Sequence, residues 1–509
     1  MNQNTVLQGT RNDKWFDTLH LKDGLKDRSI RGGVSTMAGQ IILFLMSTAQ
    51  TVILARLLLP EDYGLVAMVS SVTGFIIIFK DLGLSSAIIQ REELTQSEVS
   101  SVFWVNVFIS FLIALVVAVL APAIASFYHE QRLLNITLVA ALTIFIAGLS
   151  LQHNALLKRQ MYFNSLALLQ LVTVGLNLLI GVLLAWLGFG YWALVMQGLV
   201  LAALQTIALW ILCDWRPDLT FKKSETGSFL KFGAGITGFD VVNHFSRNMD
   251  NVFIGRFVGS VALGLYSKAY QLLMLPITQL RNPLNSVAIP ALSSLQSDKE
   301  KYRSFYFRYL FILAFFSMPM IVYLGVFSNE LILLILGEQW ADAGPIFQVL
   351  AISAFIQPVA STPSLVLITT GSVKKYFVIG VINAFFMVAG FAIGVFLDGV
   401  RGVAIAQGIV GYTLFVPVLY YILNQSPISA MAFLKEITLP AAFSVTSGIA
   451  MAVYGILLQR YNIALPLVWY CICGFIVGAF VYLTLMITFS STRRKVAAIV
   501  EMAQSIKKK

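Results

Sequence analysis

The residues of this chain with the strongest chemical demand are polar and ionisable groups set inside apolar sequence. Between Phe232 and Ile254 stand Asp240, Asn243, His244, Arg247, Asn248, Asp250 and Asn251. At 100° per residue, Asp240, His244, Arg247 and Asn251 fall on one stripe about 60° wide, with the other three flanking it. An ionised side chain at bilayer depth costs at least ~2.5–3.5 kcal/mol, so the stripe must look into protein or a wet cavity. At a rise of ~1.5 Å per residue from Phe232, Asp240 lies ~12 Å and Arg247 ~22 Å into a ~30 Å hydrocarbon core, bracketing its middle. The next apolar stretch adds Gln271, Thr278, Arg281 and Asn285 within about 80° of one another. Pro276, Pro283 and Pro290 recur along it every seven residues, a spacing that predicts a bent helix with carbonyls released from the helical ladder.

Two chemistries suit these residues. Arg247 and Arg281 can present guanidinium forks to a phosphate-bearing substrate, because arginine stays charged when desolvated and binds phosphate through two donors. Arg247 can instead pair internally with Asp240 or with Asp250, serving only to orient helices. His244, beside Asp240, can couple substrate movement to protons or can be a hydrogen-bonded structural histidine. Asp240, His244 and Asp250 are therefore the ion-coupling candidates. Lys80 ends its stretch near the cytoplasmic surface with Asp81, where it either snorkels or guards the entrance to a cavity.

Other chemistries lack their residues. The chain contains no Gly-x-x-x-x-Gly-Lys-Ser/Thr loop, no His-Glu-x-x-His and no Gly-x-Ser-x-Gly elbow, so nucleotide-driven, zinc-hydrolase and serine-hydrolase readings have no support and no catalytic residue or cofactor is expected. Cys213, Cys471 and Cys473 lie in or at the ends of apolar stretches with no ligand partners nearby, so neither a metal nor a disulfide is expected. The formal net charge of +11 is dispersed along loop edges rather than gathered on one soluble face. That distribution suits anionic lipid headgroups better than nucleic acid.

The elements that must position these groups are membrane spans. With 58% apolar and 12% charged residues and a mean hydropathy of +0.82, the chain needs lipid as its solvent. Fourteen spans are read near 34–54, 64–82, 101–125, 133–151, 165–187, 192–213, 232–254, 263–290, 306–327, 345–370, 376–397, 402–423, 440–458 and 465–489. Lys and Arg concentrate before the first span, in the even connections and in the tail. The odd connections carry only Arg56, Arg132, Arg256, Lys268, Arg401 and Arg460, which places both termini in the cytoplasm. The opening residues are polar, with no apolar region and cleavage site, so no removable signal peptide is expected.

The sequence also repeats itself. Arg56, Gly64 and Leu65 after the first span recur as Arg256, Gly264 and Leu265 after the seventh, and Ser85, Ala87 and Ile88 are echoed by Ser286, Ala288 and Ile289. Six spans separate the copies, so the halves are parallel repeats with a substrate site expected between them. Shifting the polar stripe by the repeat marks Gln40, Ser47, Thr48, Gln50 and Thr51 in span one, a neutral counterpart of the charged face. The organisation expected is a cytoplasmic segment 1–33, an N-lobe 34–213, a cytoplasmic linker 214–231, a C-lobe 232–424, a helix pair within 425–491 and a basic tail 492–509. The substrate-contact candidates are Arg247, Arg281, Asn243, Asn251, Gln40, Ser47, Thr51, Gln271, Asn285 and Lys80. Arg56 and Arg256, duplicated beside a glycine turn, read as architectural caps.

The blocks Gly32-Gly-Val-Ser35, Leu54-Ala-Arg-Leu-Leu-Leu-Pro-Glu-Asp-Tyr-Gly64 and Lys80-Asp-Leu-Gly-Leu-Ser-Ser-Ala-Ile-Ile-Gln90 resemble the polysaccharide transporter family, the Wzx-type flippases of the multidrug/oligosaccharidyl-lipid/polysaccharide superfamily. The likeness is greatest to exporters of the colanic-acid and teichuronic-acid kind. It implies an all-α membrane protein of about fourteen spans, two six-helix lobes plus a C-terminal pair, in a bacterial plasma membrane. It also implies flipping of an undecaprenyl-diphosphate-linked oligosaccharide by alternating access of a cationic cavity, driven by an ion gradient, with a polysaccharide polymerase and a chain-length regulator as partners. No family motif marks Arg247 or Arg281, which rest on depth and helical face alone. A multidrug antiporter, a peptidoglycan-precursor flippase and, from another class, a membrane glycan polymerase are the rival readings; a polymerase calls for a large outward loop that this chain lacks.

Overall fold

A chain this apolar satisfies its backbone polar groups within lipid by forming helices, and helix is the only regular structure among the residues described by the computed structural model, 15–16, 25–80, 83–91, 94–219, 248–424 and 426–507. Contacts divide the chain into two compact units, Met1–Val261 and Ala262–Lys509.

In the first unit, α1 (Leu25–Leu57), α2 (Pro60–Ile77), α3 (Leu84–Gln90), α4 (Gln96–Tyr128), α5 (Arg132–Gly148), α6 (Leu151–Arg159), α7 (Phe163–Trp186) and α8 (Tyr191–Leu212) follow in order, and 248–257 form α9. Local sequence sets their ends. Thr95 caps α4 by accepting the Glu98 amide at 3.3 Å while the Glu98 carboxylate accepts the Thr95 amide at 2.8 Å, the reciprocal pair that Thr-x-x-Glu encodes. Small residues set the close approaches between helices: a Cβ on Gly148 would lie 2.2 Å from the Ser110 hydroxyl, and one on Gly181 2.2 Å from the Gln197 amide. Lipid supplies no hydrophobic drive between helices, so such close packing carries the association.

The second unit contains nearly all of α10 (Ser260–Ser294), then α11 (Lys299–Val326), α12 (Ser328–Ile335), α13 (Ala343–Ala354), α14 (Gln357–Ala360), α15 (Pro363–Thr369), α16 (Val373–Leu423), α17 (Ala430–Arg460), α18 (Leu467–Thr488) and α19 (Ser490–Lys507). The core here is α11 packed on α13, α17 and α18. Two tyrosines of α11 reach the broken helix beside it: the Tyr302 hydroxyl lies 2.7 Å from that of Thr369, and Tyr306 2.9 Å from that of Thr362.

Nine helices among the described residues are long and apolar enough to cross a membrane, ten if α13 with α14–α15, bent by 42°, counts as one span. That is fewer than the fourteen expected, for identifiable reasons. α16 is a single run in that count, yet its backbone leaves helical geometry at Asp398 (φ −148°) and Gly399 (φ 52°), between the two spans read at 376–397 and 402–423. α2 and α10, which carry polar side chains through their length, fall outside the count, and most of 232–254 lies outside the described residues. The boundary between the units falls after α9, which groups with the first. The Arg256 guanidinium of α9 lies 5.5 Å from the Phe127 ring centre, and Gly64 packs directly on the backbone of Ser260.

Candidate functional site

Asp240, Asn243, His244 and Arg247 lie outside the described residues. What α10 carries is described. It runs unbroken through Pro276, Pro283 and Pro290, each of which removes the amide donor for the carbonyl four residues earlier. On this helix Arg281 is half-buried, and its Nε is buried without a hydrogen-bond partner. Among the described residues no carboxylate pairs with it. One turn on, Asn285 Oδ1 accepts the Tyr309 hydroxyl at 2.6 Å, and the Arg281 charge acts on that same hydroxyl. Arg281, Asn285 and Tyr309 thus form one polar group on α10 and α11, cationic and with donor capacity to spare. Such a group has the charge and the donors that an anion calls for.

Further along α10, Lys268 Nζ donates to Gln271 Oε1 at 3.0 Å. Lys268, counted with the outer-connection cations although it falls inside the span read at 263–290, stands within α10 and is buried, 9% exposed. Beside it, the Tyr266 hydroxyl reaches Gln407 at 3.3 Å and the rings of Tyr266 and Tyr270 stack.

The other candidates are spread over the first unit. Gln40 and Ser47 on α1 are exposed and Thr51 is half-buried; the Ser47 hydroxyl bonds to the Leu43 carbonyl and Thr51 to Ser47 at 2.9 Å. These are i−4 bonds that leave the hydroxyl oxygens facing outward as acceptors. Thr48 Oγ1 is buried without a partner. Lys80 is half-buried in the 3₁₀ turn that ends α2. On α9, Asp250 is buried and accepts the Asn251 amide at 2.8 Å.

The most distinctive sequence block proves to be a clasp rather than a binding site. Asp62 accepts the Leu59 amide at 2.9 Å and a bond from the Tyr191 amide, so it ties the start of α2 to the start of α8. Burial pushes its carboxyl above the usual aspartate value, with those two amides opposing. Glu61 pairs with Arg132, which also holds Glu130 at 2.8 Å and keeps that carboxyl below its ordinary value. A Cβ on Gly64 would fall 1.8 Å from the Ser260 carbonyl oxygen, which is why glycine stands there.

A second clasp closes the opposite end of the unit, and nothing in the sequence pattern announced it. Trp15, 5% exposed, packs among Leu84, Ile88, Leu156 and Trp215 and donates Nε1–H to Asp214 at 2.9 Å. Its carbonyl accepts Gln160 Nε2 at 3.0 Å, and the Phe16 carbonyl accepts the Arg159 guanidinium at 3.4 Å. Arg159 is itself buried and also donates to the carbonyls of Ile88 and Arg91.

Long apolar helices gathered in two compact units are the architecture of a polytopic membrane protein. The fold resembles the lipid II flippase MurJ in an inward closed conformation, with a TM-score of 0.71 at 16% identity over 91% of this chain and 99% of that one. It also resembles an inward-facing multidrug resistance MATE family transporter of the MOP superfamily, with a TM-score of 0.61 at 16% identity over 77% of this chain and 95% of that one. The fold is therefore the one that these two transporters share.

The chain belongs to the polysaccharide biosynthesis protein family, whose model matches residues 53–345. Among curated relatives, the lipopolysaccharide biosynthesis protein WzxC of Escherichia coli (strain K12) is 23% identical over 86% of this chain and 89% of its own length. The teichuronic acid biosynthesis protein TuaB of Bacillus subtilis is 28% identical over 59% of this chain, and the match spans 62% of TuaB. The succinoglycan biosynthesis transport protein ExoT of Rhizobium meliloti is 28% identical over 61% of this chain and 63% of its own length.

Proposed function

We propose that the protein flips an undecaprenyl-diphosphate-linked oligosaccharide repeat unit across the bacterial plasma membrane, as a transporter and not an enzyme. The observation that carries the reading is Arg281, a guanidinium within α10 that has no carboxylate partner among the described residues and whose Nε is buried without a hydrogen-bond acceptor. A lipid diphosphate bears a charge that cannot cross hydrocarbon unaided. Fixed cations in a wet cavity offset its desolvation while the lipid tail stays in the bilayer.

In this reading the repeat in sequence divides the transporter into lobes 34–213 and 232–424, with 425–491 as an added pair and both termini cytoplasmic. Its substrate contacts are Gln40, Ser47, Thr51 and Lys80 in the first lobe and Arg247, Arg281, Asn243, Asn251, Gln271 and Asn285 in the second. Asp240, His244 and Asp250 link the cycle to an ion gradient. A polysaccharide polymerase and a chain-length regulator receive the product.

The names of WzxC, ExoT and TuaB support the substrate class, and the likeness to MurJ supports the mode of transport. The test is reconstitution into liposomes with labelled lipid-linked oligosaccharide. Transfer between leaflets without chain growth is expected, with Arg281→Gln slowing it; chain growth, or full transfer by the variant, refutes the reading.

A further inference from the structure

The tail helix α19 does not leave the protein after the last span; it is fastened beneath the second unit. α18 ends at Thr488 and α19 begins at Ser490, so the new helix starts at the height of the membrane boundary. Thr492 is buried, and its hydroxyl bonds back to the Met486 carbonyl at 2.7 Å. Lys495 pairs with Glu436 of α17 at 2.6 Å, and its ammonium stands 5.2 Å from the Phe311 ring centre of α11. Val496 packs on the cluster of Phe311, Phe315, Phe443, Tyr482 and Met486. One short stretch of α19 is thereby tied to three helices.

Around that fastening the charge is one-sided. Arg493 and Arg494 are exposed and, among the described residues, have no carboxylate partner. Arg308 stands one turn from Phe311 on α11, and Lys435 precedes Glu436 on α17; both are exposed. The only carboxylate brought into this group by a described ion pair, Glu436, is already taken by Lys495. The sequence then closes on Lys507, Lys508 and Lys509. A cationic patch assembled from three helices, next to the end of a spanning helix, lies where phospholipid headgroups are the nearest anions.

We propose that this patch is a binding surface for the anionic phospholipid of the adjoining leaflet, with Arg493, Arg494, Arg308 and Lys435 engaging headgroup phosphates while Lys495, Thr492 and Val496 hold α19 in place. Headgroups bound there clamp α19 against α11 and α17, so the lipid composition of the leaflet sets how firmly the base of the second unit is held. The surface differs from the Arg281 group in that its cations are exposed and lie on the outer faces of their helices.

The experiment is amide hydrogen exchange of residues 490–507 in the full-length protein, in nanodiscs of phosphatidylcholine alone and of equal parts phosphatidylcholine and phosphatidylglycerol. Phosphatidylglycerol is expected to slow exchange by about thirtyfold, the worth of two cations near an anionic surface, and added salt is expected to reverse it. The variant R493Q/R494Q, altered only at exposed positions, is expected to exchange at one rate in both lipids, whereas Arg460→Gln, on the far end of α17, retains the lipid effect. Native mass spectrometry of the same samples is expected to show fewer retained phosphatidylglycerol molecules on R493Q/R494Q. Equal exchange in the two lipids, or a lipid effect unchanged in R493Q/R494Q, overturns the proposal, and either result leaves the transport reading of Arg281 untouched.

Discussion

Replacing Trp15 with alanine tests whether the residues before the first helix are part of the folded unit or only an appendage. The indole is 5% exposed and surrounded by apolar side chains, so truncation costs about 3–5 kcal/mol in lost contacts and cavity. The Asp214 carboxylate also loses the indole N–H, worth ~1.5–3 kcal/mol for a bond to a charged acceptor. If the segment detaches, water reaches Asp214 and Arg159 and returns part of that second loss, so about 5 kcal/mol is the expected net cost. At roughly 2 °C of melting temperature per kcal/mol for a unit of this size, the first unit should melt about 10 °C lower. Thermal unfolding in detergent reads the shift, and hydrogen exchange of 84–91 and 151–160 localises it. Trp15→Phe keeps the ring packing and drops only the bond to Asp214, so it should fall between wild type and alanine. Trp186→Ala, at a lipid-facing indole 73% exposed, should change little. If Trp15→Ala melts with Trp186→Ala, the docking argument is wrong.

Arg281→Gln should lower leaflet transfer by about ten- to a hundredfold at normal membrane insertion, the worth of one charge-assisted phosphate contact, with Arg281→Lys recovering part of it because the charge returns without the fork; reconstituted transport is the measurement. Gly64→Val should be poorly tolerated, at about 3 kcal/mol or more, since its Cβ would meet backbone atoms of Ser260 that cannot rotate away; Gly259, with open space at its Cβ despite φ +108°, should suffer only backbone strain when changed to alanine, and thermal unfolding ranks the two. Glu130 is held below its ordinary 4.5 mainly by the Arg132 hydrogen bond, so its contribution is complete above that value and is lost as the pH falls through the lower, folded value. Glu130→Gln should therefore flatten the acid side of the stability curve below about pH 4.5, seen by unfolding across pH.

Helix positions were legible because hydropathy reports burial in lipid directly, and even the break in α16 falls at the Asp398-Gly399 gap between two apolar runs. On α10, Arg281 and Asn285 share a stripe at i and i+4, and the structure sets Tyr309 against Asn285. Tyr309 itself was invisible, because an α11 tyrosine carries no sign of which helix it will meet. Trp15 was invisible for the same reason, since its partners Asp214, Arg159 and Gln160 are far along the chain.

The separation of recognisable sequence from chemistry has a physical cause. Arg-Leu-Leu-Leu-Pro-Glu-Asp-Tyr-Gly is distinctive because each member meets backbone or a fixed partner: Asp62 two amides, Glu61 the Arg132 guanidinium, Gly64 the Ser260 carbonyl. Contacts of that kind admit one residue type at one position. In the transport reading, a cation that meets a mobile diphosphate has no such restriction, since any position on the same face of α10 can place the charge. A clasp is therefore written as a motif, whereas a transport site of this sort is written as a charge at a depth. Moving the cation one turn along the same face, as in the pair Arg281→Gln with Asn285→Arg, should restore part of the lost transfer; a double variant as slow as Arg281→Gln alone would show that the site needs this one geometry.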